Sequence, residues 1–148
     1  MLYLIDGNNL IGRPAGPQAE AGQRRLLAEL VAFLRPRKDR AVVVFDGSEP
    51  PQALPRSQLH GRLQVQWSGR AAADVLLRRR MAASGAPPAL MLVSEDRELV
   101  GYAKVRKIRC LARGAWGDLM AQSVEQERSP PGPVDVEDWM RFFGGKDS

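Results

Sequence analysis

The sequence predicts one α/β domain built on a parallel five-stranded sheet of order 3-2-1-4-5, flanked by helices on both faces. Three observations carry this. Short apolar runs alternate with helix-like stretches, the pattern of strand–helix–strand crossovers. Leu2–Ile5, Ala41–Phe45 and Ala89–Val93 are continuously apolar, as strands buried on both faces must be, whereas Leu63–Trp67 and Ile108–Leu111 carry polar residues and suit the edges. The 148 residues, 44% hydrophobic and 26% charged, are enough for one domain with its own core.

The elements follow in order. Leu2–Ile5 forms the first strand and Asp6-Gly7 ends it. Leu26, Leu27, Leu30, Val31 and Leu34 recur at helical spacing and stop before Pro36. Ala41–Phe45, rich in β-branched valine, forms the second strand. In Leu63–Trp67 strict alternation turns Gln64 and Gln66 away from the core. Residues 70–84 read as a helix closed by Gly85 and the Pro87–Pro88 pair. Ala89–Val93 is the fourth strand, Glu98–Lys104 a short helix, and Ile108–Leu111 the fifth strand. Trp116, Leu119, Met120 and Val124 mark a last helix. The domain spans 1–128. Residues 129–148 form a Pro-rich linker, Ser129–Pro133, and a helix with Val136, Trp139, Met140 and Phe143 on one face. That helix docks either on its own domain or on a partner.

Composition narrows the chemistry. Cys110 and His60 are the only cysteine and histidine, which excludes an intrachain disulfide and a Cys/His zinc site. Little is left for a Cys–His or Ser–His–Asp system, so carboxylates must carry any catalysis. The 22 basic and 17 acidic residues give a net charge of +5, which favours a polyanionic partner or else a solvated basic surface. No apolar run approaches a membrane span. The apolar start is cut short by Asp6, and a reducing cytoplasm is the expected compartment.

The acids fall at informative places. Asp6 follows the first strand, Asp46 the second and Asp96 the fourth, and Asp74 opens the helix after the third. With right-handed crossovers, the chain reverses direction between the first and fourth strands. Ligands of such sheets bind at the carboxyl ends beside that switch point. Carboxylates gathered there repel one another, and an oxygen-only cluster suits Mg²⁺ or Mn²⁺. Each acid also has a plain structural reading. Asp6-Gly7 and Asp46-Gly47 can be turns, Asp74 can pair with Arg78, and Asp96 can cap the next helix.

These residues resemble a known family. Ile5-Asp6-Gly7-Asn8-Asn9-Leu10-Ile11 is similar to the opening motif of the YacP-like NYN domains of the PIN-like nuclease superfamily. Val44-Phe45-Asp46-Gly47, Ala73-Asp74 and Val93-Ser94-Glu95-Asp96 follow in the family's order, so the resemblance covers most of residues 1–125. It implies a three-layer PIN-like fold and a metal-dependent endoribonuclease. Asp6, Asp74 and Asp96 match the family's metal-binding and catalytic acids, with Asp46 as a further ligand. Asn9, Ser94 and Glu98 take supporting places. Asn8 stands where relatives often have tyrosine, and Glu98 where many have a second aspartate.

Basic residues supply candidate RNA contacts. Arg13, Arg97 and Arg113 fall near the carboxyl rim, whereas Arg35, Arg37, Lys38 and Arg40 fall at the opposite rim. His60 reads as a loop residue, and Trp67 and Trp116 as packing. The expected function is metal-dependent hydrolysis of single-stranded RNA, with mRNA on the ribosome as a candidate substrate. The alternative is an RNA- or ribosome-binding module of the same fold with little catalysis. An aspartyl-nucleophile phosphatase using Asp6 fits poorly, because Asn8 replaces the second aspartate such sites use.

Overall fold

The computed structural model describes residues 1–12, 17–48 and 61–128. Arg13, His60 and the linker and tail helix expected at 129–148 lie outside the described residues.

Five strands, β1 (Leu2–Asp6), β2 (Arg40–Phe45), β3 (Leu63–Trp67), β4 (Leu90–Val93) and β5 (Arg109–Leu111), form one sheet in the order 3-2-1-4-5. Every pairing is parallel, and in register Ile5 of β1 lies between Val43 and Val93. The order follows from the side chains. β1 and β2 are buried almost throughout, while Gln64 of β3 and Arg109 of β5 are exposed, as edge positions allow. The helices are α1 (Gly7–Ile11), α2 (Pro17–Leu34), α3 (Ala73–Ala83), α4 (Arg97–Val105) and α5 (Arg113–Arg128).

Alternation along the central strands makes two cores. Tyr3, Ile5, Val43 and Phe45 face one side, against Leu30, Phe33 and Leu34 of α2 and Trp116 of α5. Leu4, Val42, Val44 and Leu92 face the other, against Leu77 and Met81 of α3 and Leu99 and Ala103 of α4. Trp116 is a core residue: its ring centroid lies 5.5 Å from Tyr3 and 5.1 Å from Phe33. Trp67 lies 4.8 Å from the buried Phe45 ring.

Two local differences from the sequence reading bear on function. Asp6-Gly7 is not a simple turn, because α1 starts directly after β1. Gly7 allows this. A Cβ there would lie 2.4 Å from Cε1 of Phe45 and 3.1 Å from Cγ2 of Val43, so any larger residue would have to displace the Phe45 ring. The third helix starts at Ala73 rather than at 70, because Ser68–Ala71 first makes a tight turn closed by an Ala71 N–H to Ser68 carbonyl bond of 3.2 Å. That late start brings Asp74 to the helix's first turn.

Candidate active site

Asp6, Asp46, Asp74 and Asp96 line one open cleft of about 570 Å³, with Asn8 and Asn9 beside them. The cleft lies at the carboxyl ends of β1, β2 and β4, at the switch point between β1 and β4. Four separate stretches of chain supply the acids, and each is held by a different device.

Asp6 ends β1 and is 8% exposed. The Ser94 hydroxyl, itself 2% exposed, donates to Asp6 Oδ2 at 3.2 Å and accepts the Asp96 N–H at 3.1 Å. One hydroxyl thus ties two site acids together. Burial pushes the Asp6 carboxyl above the usual carboxylate range. The Ser94 hydroxyl and the Asn9 backbone N–H oppose that rise, and the charges of Asp46 and Asp96 add to it.

Asp46 sits at the end of β2. Its Oδ1 accepts the Ala73 N–H at 2.7 Å, so it caps α3 from far away in the chain. Its own N–H donates to Asn8 Oδ1 at 2.9 Å, which fixes the β2 end against α1. Asp96 is the N-cap of α4, where Oδ1 accepts from Glu98 N–H at 3.0 Å and Leu99 N–H at 3.1 Å. Asp74 lies 3.5 Å from Arg78, which also reaches Glu98 at 3.3 Å. The capping and ion-pair readings therefore hold for Asp96 and Asp74 alongside their place in the cleft. Glu98 is 84% exposed, does not line the cleft and is turned toward Arg78.

Asn9 and Glu95 link the acids to the last helix. Asn9 Oδ1 accepts the Glu95 N–H at 3.0 Å, and Glu95 Oε2 accepts the Arg113 N–H that opens α5 at 3.0 Å. The Arg113 guanidinium donates to the Asn9 carbonyl at 2.6 Å, so this side chain clamps α1 to α5. Arg97 is exposed and has no ion-pair or hydrogen-bond partner among the described residues. The sequence reading missed Glu95, and gave Asn8 no role beyond its departure from tyrosine. Their positions beside Asp96 and Asp6 were the only available signal.

Among the described residues, no three Asp, Glu, His or Cys side chains stand close enough to enclose a metal ion as they are. The donor chemistry nonetheless fits a hard divalent cation. Mg²⁺ keeps several waters and needs only one or two direct carboxylates. Asp46, Asp74 and Asp96 each leave one carboxylate oxygen without a protein donor among the described residues. Among the described residues, no helix is long and apolar enough to cross a membrane.

No protein-family model matches the sequence, and no curated protein matches it. Solved structures do. The chain is similar to Rae1 (YacP) from Bacillus subtilis, with a TM-score of 0.67 and 16% identity over 98% of this chain and 84% of that one. A variant of Rae1 gives a TM-score of 0.69 and 16% identity over 93% of this chain and 89% of that one. The parallel sheet, its strand order and this likeness give the chain the fold of the Rae1 (YacP) structures.

Proposed function

We infer that this chain is a metal-dependent endoribonuclease that hydrolyses phosphodiester bonds in single-stranded RNA, with mRNA on the ribosome as a candidate substrate. The convergence of Asp6, Asp46, Asp74 and Asp96 on one cleft at the switch point carries this reading. Asp6, Asp74 and Asp96 are assigned to hold Mg²⁺ or Mn²⁺, with Asp46 beside them. Such an ion supplies activation of water and neutralises charge on the phosphodiester under attack.

The chain's own residues do the rest. Ser94 fixes the Asp6 carboxylate in one orientation through its 3.2 Å bond. Asn9 and Asn8 hold the turns that carry Asp96 and Asp46. Arg78 pairs with Asp74 at 3.5 Å and takes Glu98 as its second partner at 3.3 Å. Arg97 is the proposed phosphate contact near the rim, Arg13 is a further proposed contact from outside the described residues, and Arg113 supports the site through Asn9. The cytoplasm is the proposed compartment.

The test is incubation of purified protein with labelled single-stranded RNAs in Mg²⁺, Mn²⁺ or chelator. The expected result is internal cleavage with either ion and none with chelator. Protein that binds RNA and never cuts it, whichever divalent ion is supplied, would establish the binding-module alternative instead.

A further inference from the structure

A second cavity, of about 520 Å³, opens beside the acidic cleft on the outer side of α4. Ser94 and Glu95 form its near end, so it begins where the acidic rim stops. Arg97, Gly101 and Lys104 of α4 line one wall, and Cys110 and Ala112 line the other. Residues 97, 101 and 104 recur at helical spacing, so they share one face of α4. Arg97 and Lys104 stand about 10 Å apart along the helix, seven residues at the helical rise.

Two independent features point to a ligand. Arg97 and Lys104 are both exposed, and neither has an ion-pair or hydrogen-bond partner among the described residues. By contrast, Arg78 and Arg113 nearby are committed to protein groups. Gly101 lies mid-helix, where glycine weakens the helix relative to alanine. No packing requires it: a Cβ at Gly101 would meet nothing within 4 Å. The glycine keeps the wall between the two cations flat, as the close approach of a ligand requires. Glu95 is the one acid among the described residues that line the cavity, and its Oε2 is already bound to the Arg113 N–H.

We propose that this groove is the track that carries single-stranded RNA away from the acidic cleft, with Arg97 and Lys104 contacting successive parts of the phosphate backbone. The proposal rests on the nuclease reading for its substrate. The chemistry selects a polyanionic strand: cations stand at the two ends, and the floor between them is small and apolar. Val100, Gly101 and Ala112 carry no side-chain hydrogen-bonding group to read a base edge, so the track is expected to read backbone rather than sequence.

Cys110, the chain's only cysteine, lies half-buried in this groove and reports on its occupancy. The experiment measures N-ethylmaleimide labelling of Cys110 in the full chain, with and without a single-stranded oligoribonucleotide, in chelator so that the RNA stays whole. Labelling is expected to slow in proportion to the fraction of protein bound. In parallel, Arg97→Gln and Lys104→Gln should each weaken RNA binding and make the salt dependence shallower by about 0.7 in log–log slope, the value for one phosphate contact on a single strand. Gly101→Gln should weaken binding without lowering Tm, because it fills the groove while improving the helix.

Three outcomes are decisive in other ways. RNA that binds and is cut, while Cys110 labels at the free rate and the variants bind like wild type, overturns the track and leaves the nuclease reading standing. Protein that neither binds nor cuts RNA overturns both. Protection of Cys110 by an acidic peptide but not by RNA overturns the proposal in favour of a protein partner.

Discussion

Replacing Ser94 with alanine tests whether the acids are held as one unit. The hydroxyl is almost wholly buried and makes two bonds, to Asp6 Oδ2 and from the Asp96 N–H. A hydrogen bond to a charged group contributes about 1.5–3 kcal/mol. The Asp96 N–H sits on the exposed rim and regains water when its partner goes, adding about 0.5–1 kcal/mol. Ser94→Ala should therefore destabilise the fold by about 2–4 kcal/mol near neutral pH, lowering Tm by roughly 5–15 °C for a chain of this size. The pH dependence has a definite sign. Burial already holds the folded Asp6 pKa above its unfolded value, and the Ser94 bond opposes that rise. Removing the bond raises the folded pKa further. Above that pKa the variant carries the full deficit. As pH falls through it and then through the lower wild-type pKa, Asp6 is protonated first in the variant and then in both proteins, and the charge-assisted part of the deficit fades. Urea unfolding over a pH series measures this, with the same substitution repeated in an Asp6→Asn background. An equal loss in both backgrounds, or a deficit that grows on acidification, would refute the reasoning.

Three further outcomes follow from the same geometry. Asp6→Asn should stop cleavage while leaving RNA affinity largely in place, because it neutralises a site acid and removes a charge that repels phosphate. Gel shift and single-turnover cleavage on one RNA separate the two effects, and a variant that cuts at the wild-type rate removes Asp6 from the mechanism. Asp96→Ala should lose about 0.5–2 kcal/mol as the α4 cap is lost, whereas Asp96→Asn keeps a cap and stays near wild type. Both should bind Mg²⁺ and Mn²⁺ more weakly by calorimetry, and unchanged affinity in both would show that Asp96 is no ligand. Gly7→Ala forces a methyl into the Phe45 ring and should cost about 1–3 kcal/mol in chemical denaturation, with weaker metal binding as α1 shifts. A neutral result would mean that the ring yields freely.

The sequence by itself determined the sheet. Continuous apolar runs can be satisfied only between two helical layers, and polar edge runs only at the margins, so strand order was legible from Leu2 to Leu111. It also determined which acids stand at the carboxyl rim, because each of Asp6, Asp46 and Asp96 directly follows a strand. The tertiary structure alone decided how those acids are held. Ser94 bonding Asp6, Asp46 capping α3 and Asn9 fixing Glu95 join residues 88, 27 and 86 positions apart. No local periodicity encodes such bonds, because their partners meet only after the crossovers close. The same holds for the arginines. Arg97 and Arg113 look alike in sequence, yet the start of α5 beside α1 commits Arg113 to the Asn9 carbonyl, while Arg97 on α4 has no hydrogen-bond or ion-pair partner among the described residues. A charged side chain's role depends on which unsatisfied groups the fold brings within its reach, and chain position alone does not fix those.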